Sequence, residues 1–269
     1  MLVTEIAFVP EGADWTTLLL LLVAAFAAGW IDAVVGGGGL IQLPALLLVP
    51  GITPVQALAT NKLASVFGTA TSSVTYARRV RPGLRTVLPM AGIALLGAFG
   101  GATVAAFLPA ALFKPIIVVA LIAVALITLF KPALGAVTRL KHRGRRHVVI
   151  AGATGAAIGF YDGVLGPGTG TFLVIALVGL LGYDFLRASA QAKIVNFATN
   201  LGALLFFIPL GAVLWPLGLL MGIANVAGSF IGSRMAIARG VRFVRVLFLV
   251  VVGVLIVKLG FDVWHENFA

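Results

Sequence analysis

The sequence predicts an all-α polytopic membrane protein of two inverted-topology repeats, each of about five helical segments, with broken or re-entrant helices at its glycine clusters. Three observations carry the prediction. Of 269 residues, 61% are hydrophobic and 10% charged, with a mean hydropathy of +1.15, against roughly 45–50% and 25% in soluble domains. A glycine-rich segment occurs twice, Gly29-Trp30-Ile31-Asp32-Ala33-Val34-Val35-Gly36-Gly37-Gly38-Gly39 returning 130 residues later as Gly159-Phe160-Tyr161-Asp162-Gly163-Val164-Leu165-Gly166-Pro167-Gly168-Thr169. Charge is segregated: four basic residues lie in Arg78–Arg85, six in Lys131–Arg146 and four in Arg234–Arg245, whereas five of eight acids (Glu5, Glu11, Asp14, Asp262, Glu266) are terminal. Basic connections mark the cytoplasmic side, so the net charge of +11 reads as topology rather than nucleic-acid binding.

The segments follow in order. Apolar runs stand at about 16–35, 39–50, 54–77, 87–108 and 111–131, then at 148–165, 170–182, 185–208, 213–233 and 243–263. The first is preceded by acids rather than Lys or Arg, so it is a retained helix rather than a cleaved signal. The second run of each half falls short of the roughly 20 residues that cross a bilayer. With the run before it, it forms a discontinuous pair that meets near the midplane. With residues 78–86 and 131–147 inside, each half makes an odd number of passages, so the two are inserted in opposite senses. The repeats are 1–140 and 141–269, with a basic cytoplasmic linker at about 131–147 and both termini outside. Trp15 and Trp264 suit interfacial anchors. Gly97/Gly101 and Gly228/Gly232 have the spacing of close helix packing.

Candidate site residues sit at the breaks and on the runs that follow. Gly36, Gly37, Gly38 and Gly39, and Gly166, Gly168, Thr169 and Gly170 beside Pro167, open the short helices. Glycine permits the turn, and unpaired amides at a helix start favour an anion; the competing reading is a break needed for packing. Lys62 and Lys193 lie within apolar runs, where a charge costs about 2.5–3.5 kcal/mol and needs a partner. That partner is either a transported anion or a carboxylate, Asp32 for Lys62 and Asp162 for Lys193. Asp32 and Asp162, the carboxylates deep in apolar sequence, suit proton coupling or a helix-end hydrogen bond. Asn61, Gln191, Asn196, Asn200 and Gln42 could orient substrate oxygens or bond between helices; the stripe Lys193, Asn196, Asn200 is the strongest. There is no Cys, and His142, His147 and His265 fall in polar connections or the tail. No metal site, cofactor or enzymatic centre is expected. Partners are a small anion and the lipid bilayer, with self-association into a homo-oligomer left open.

The repeated Gly-x-x-Asp with its glycine cluster, then Ala59-Thr60-Asn61-Lys62 and Ala190-Gln191-Ala192-Lys193 with Asn196 downstream, resembles the TauE/SafE family of anion exporters, also known as TSUP. The resemblance covers nearly the whole chain. It implies proton-driven export of sulfite or an organosulfonate such as sulfoacetate across the cell inner membrane. An anion channel, or a transporter of another small anion, is the alternative. Where the first half has Asn61 the second has Gln191-Ala192, so the halves are not equivalent sites.

Overall fold

The computed structural model describes residues 14–109 and 137–268. The fifth apolar run, the extreme N-terminus and part of the basic linker lie outside the described residues. The described residues form helices without a strand: α1 (Trp15–Val35), α2 (Gly39–Leu47), α3 (Pro54–Val80), α4 (Leu84–Phe107), α5 (Gly144–Val164), α6 (Thr169–Ala176), α7 (Phe185–Phe207) and α8 (Trp215–Phe268), with a π-helical turn at Leu177–Leu181. Three helical stretches, Trp15–Val35, Leu84–Phe107 and Trp215–Gly240, are long and apolar enough to cross a bilayer. Leu19, Leu20, Leu88, Leu96 and Ile223 are exposed on them, as suits a surface facing lipid.

Local chemistry sets the ends. Asp14 caps α1 by accepting from the Thr17 amide at 2.8 Å. That bond lies outside the apolar span and holds the Asp14 carboxyl below its ordinary value. Thr53 and Gln56 form a capping box at α3 with Pro54 at the first position, the place where a missing N–H costs nothing. Asp184 caps α7 through the Arg187 amide at 2.9 Å. The starts pair as 39 with 169, 54 with 185 and 84 with 215, so the offset read from the glycines extends to whole elements.

The packing is reciprocal. Helix α1 lies along α8 and α5 lies along α4, while α3 and α7 touch each other and reach α8 and α4 respectively. Both GxxxG pairs serve these contacts. A Cβ on Gly101 would sit 2.0 Å from the Phe160 carbonyl oxygen of α5, and one on Gly228 would sit 2.0 Å from the Phe26 carbonyl oxygen of α1. Two apolar cores occupy opposite ends of the bundle. One gathers Val34, Val35, Tyr76, Leu177 and Phe185; the other gathers Leu18, Leu43, Leu58, Phe207 and Met221. Polar side chains are buried where the two meet.

Helix α8 is broken at Gly240, whose backbone (φ 70, ψ −165) is non-helical, so two helical stretches meet within the basic residues 234–245. Arg, Met and Ala are good helix formers, and only the glycine leaves the helical region. One expectation is corrected: His147 does not sit in a polar connection. It lies in the first turns of α5, buried, with Nε2 3.1 Å from the Tyr183 hydroxyl. Residues 138–141 strap across the π-helical turn, Arg139 N–H donating to Gly182 at 2.8 Å and Lys141 N–H to Leu181 at 3.1 Å.

Candidate functional site

The two broken helices meet at their glycines. Helix α1 ends at Gly36 in the left-handed region (φ 92), and α6 is preceded by Gly166 (φ 88) and Gly168 (φ 80). A Cβ on Gly36 would lie 2.2 Å from the Gly170 carbonyl carbon, and one on Gly170 would lie 2.5 Å from Gly36 Cα. The backbones therefore touch across the repeat boundary, and the Thr171 amide donates to Gly36 O at 2.9 Å. A Cβ on Gly38 would meet Ala28 O at 2.6 Å. Packing thus explains Gly36, Gly38 and Gly170. Gly39 at N1 of α2 and Gly170 at N2 of α6 have no intrahelical partner for their amides by position, and neither makes one of the other backbone bonds around the breaks. Both line the central cavity.

The lysines are paired crosswise. Lys62 Nζ lies 2.7 Å from Asp162 Oδ2, and Lys193 Nζ lies 3.0 Å from Asp32 Oδ2. This corrects the pairing within each half, Lys62 with Asp32 and Lys193 with Asp162. The contact between the two broken helices carries each carboxylate to the other half's lysine. The two pairs also differ in quality. Lys193 donates to both the Asp32 carboxylate and the Asp32 backbone carbonyl. Asp162 Oδ1 accepts from the Thr169 hydroxyl at 2.6 Å, and its Oδ2 alone meets Lys62, which reaches no backbone carbonyl of Asp162. Gly166 leaves room for that pair, since a Cβ there would stand 2.8 Å from Lys62 Nζ.

The cavity between the breaks is lined by Asp32, Gly36, Gly38, Gly39, Asn61, Lys62, Asp162, Gly166, Thr169, Gly170, Asn196 and Asn200, as expected, and by Ser65 and Asn225 as well. Its water-accessible space of about 20 Å³ holds about one water. Five expected residues stand off the lining. Gly37 and Gly168 belong to the turns, and Lys193 is buried behind Asp32. Gln42 accepts from Asn225 Nδ2 at 2.8 Å and donates to Asn61 O at 3.4 Å. Gln191 is buried with Oε1 unpartnered. Asn61 Oδ1 is likewise unpartnered, and Asn200 Nδ2 reaches Thr69 at 3.5 Å.

Asn225 was not singled out because its counterpart at the repeat offset is Ala94. The signal available was a lone amide in an apolar run with Ser229 and Ser233 at helical spacing. It is held by donation to Ala25 O at 3.1 Å, and Gly68 packs so closely that a Cβ there would fall 1.8 Å from Asn225 Oδ1.

Comparison with known proteins agrees in extent with this architecture. Residues 21–259 match the family model described as sulfite exporter TauE/SafE. The chain is 43% identical over 248 residues to the probable membrane transporter protein ORF9 of Sinorhizobium sp., covering 92% of this chain and 94% of that one. It is 34% identical over 244 residues to the probable membrane transporter protein YfcA of Escherichia coli K12, covering 90% and 89%. A probable membrane transporter protein of Haemophilus influenzae Rd is 33% identical over 245 residues, covering 91% and 95%. No solved structure matches. The match over both glycine breaks and both lysine helices identifies the chain as a membrane transporter of the TauE/SafE family.

Proposed function

We propose that the protein is a secondary transporter of the cell inner membrane that exports a small sulfur-containing anion, sulfite or an organosulfonate such as sulfoacetate, by alternating access between two inverted repeats, with proton coupling. The observation that carries this reading is Lys62. Its ammonium lines a buried cavity and is held there by one ion pair, to Asp162 Oδ2 at 2.7 Å. Around it stand Asn61, Ser65 and Asn196 and the amides of Gly39 and Gly170, donors suited to the oxygens of an oxyanion.

Charge balance supports the coupling. Two lysines and two aspartates leave the empty site neutral. An anion that takes Lys62 from Asp162 leaves a buried carboxylate without its counter-charge, and protonation is the low-cost way to restore neutrality; the proton then moves outward with the anion, so export runs on the anion gradient. A cavity with room for one water supports an occluded intermediate rather than an open pore. The reciprocal packing of α1 with α8 and α4 with α5, and the contact of Thr69 with Asn200 at equivalent positions, support repeats related by a pseudo-twofold axis. Both termini then face outside and the basic linker faces the cytoplasm.

A thermal-shift screen of the purified protein with sulfite, sulfate, thiosulfate, sulfoacetate and taurine tests the reading, with chloride as the ionic-strength control. Ligand at 100 times Kd stabilises by about 2.7 kcal/mol, roughly 5–10 °C for a chain of this size. At least one anion should reach that shift, and calorimetry in two buffers of different ionisation enthalpy should show proton uptake on binding. No shift beyond chloride for any of the five would overturn the anion site.

A further inference from the structure

We propose that the two buried ion pairs have divided roles: Lys62 leaves Asp162 to bind the transported anion, whereas Lys193 stays on Asp32 as a fixed positioning residue for the broken end of α1. This rests on the anion-transport reading above and goes beyond it by breaking the equivalence that the duplication suggests.

The end of α1 is built as an anchor. Its last carbonyls, most of which a helix leaves without intrahelical donors, receive four groups from other elements. Lys193 Nζ donates to Asp32 O, which the Gly36 amide also reaches at 2.9 Å, the Tyr76 hydroxyl to Ala33 O at 2.9 Å, the Thr171 hydroxyl to Val35 O at 3.4 Å and the Thr171 amide to Gly36 O at 2.9 Å. Lys193 also places a positive charge at the negative end of the helix dipole, and its ammonium is fully buried off the cavity. Releasing it would leave the Asp32 carboxylate unpaired and take a positive charge from the helix end.

The corresponding end of α5 lacks that construction. Lys62 touches only the Asp162 carboxylate and makes no bond to the Asp162 backbone. Thr169, standing where the first half has Gly39, donates to Asp162 Oδ1 at 2.6 Å and to Gly166 O at 2.8 Å, so Asp162 retains a partner when Lys62 departs. The Lys62 ammonium has cavity in front of it, and the Oδ1 of neighbouring Asn61 is an acceptor without a partner. One pair is made to exchange and the other to hold.

The test uses the charge-neutral pairs Lys62→Gln with Asp162→Asn and Lys193→Gln with Asp32→Asn in the full chain. Two readouts are taken: sulfite affinity by calorimetry, and the unfolding midpoint without ligand. The Lys62/Asp162 pair variant should lose at least tenfold in sulfite affinity while keeping a midpoint near that of the unaltered protein. The Lys193/Asp32 pair variant, although Asp32 touches the cavity, should lose clearly less sulfite affinity than the Lys62/Asp162 variant yet unfold earlier, because Gln cannot replace the charge at the end of α1. Equal loss of affinity in both, or greater loss in the Lys193/Asp32 variant, overturns the division. Should the Lys193/Asp32 variant prove too unstable to isolate, Tyr76→Phe loosens the same helix end without touching charge. It should lower the midpoint with affinity unchanged, and a parallel loss of affinity would count against the anchor. Absence of sulfite binding by the unaltered protein, with another of the five anions bound, moves the same comparison to that anion. Absence of binding for all five refutes the transport reading itself, and Lys62's role with it.

Discussion

The crossed pairing of the lysines makes a prediction that separates it from pairing within each half. Removing one member of a buried ion pair costs about 3–5 kcal/mol, because the remaining charge stays buried without a partner. Lys62 and Asp162 are 1% and 2% exposed, so the full range applies to each single change, Lys62→Gln and Asp162→Asn. At about 2–4 °C per kcal/mol for a chain of this length, each lowers the midpoint by roughly 6–20 °C. The double variant has no unpaired charge and should recover much of that loss, giving a coupling energy of about 2–3 kcal/mol. Lys62→Gln combined with Asp32→Asn is the control and should be additive within about 1 kcal/mol. Unfolding by SDS titration in mixed micelles supplies the four corners of each cycle. Stronger coupling of Lys62 to Asp32 than to Asp162 would refute the crossed arrangement.

The remaining predictions concern the breaks, the unexpected amide and the topology. Gly36→Ala forces a Cβ into the Gly170 backbone at a left-handed position, and should cost roughly 2–5 kcal/mol in unfolding measurements; Gly92, where a Cβ meets nothing within 4 Å, should accept Ala with less than about 0.5 kcal/mol of change. Asn225→Ala removes donation to Ala25 O and Gln42 and should cost about 1–3 kcal/mol while weakening anion binding measured by calorimetry. Gly38→Val, whose Cβ would fall 2.6 Å from Ala28 O, and Gly168→Val, at φ 80, should abolish export in vesicles, and normal rates in both would contradict the need for glycine at the breaks. Single Cys residues at positions 8 and 144 of this Cys-free chain should react from opposite sides with an impermeant thiol reagent; labelling of both from one side would contradict opposed insertion.

Much of this was legible from the chain because a duplicated sequence makes each feature a pair. Asp32 and Asp162, the glycine breaks and Lys62 and Lys193 announce themselves twice, and ionisable residues in apolar runs are visible without coordinates. The partner of each lysine was not legible, because neighbours in sequence suggested neighbours in space. A tertiary arrangement of two interlocked halves overrides that proximity. Asn225 stayed hidden for the opposite reason: its equivalent is an alanine, so a search for pairs passed over it. The break at Gly240 was legible, because a glycine among the basic residues 234–245 separates the last two apolar runs. The division between packing and ligand-facing glycines needed the backbone, since Gly36 and Gly37 are identical in sequence yet only Gly36 contacts the other half's backbone.

The most direct test of the central claim is exchange of labelled sulfite in proteoliposomes, comparing the unaltered protein with the Lys62→Gln, Asp162→Asn pair variant. The unaltered protein should show saturable sulfite exchange competed by sulfoacetate, and net sulfite flux down an imposed gradient should change the pH of the vesicle lumen. It predicts at least a tenfold slower exchange by the folded variant. Equal exchange by the two proteins would contradict the assignment of the cavity between the glycine breaks as the anion pathway.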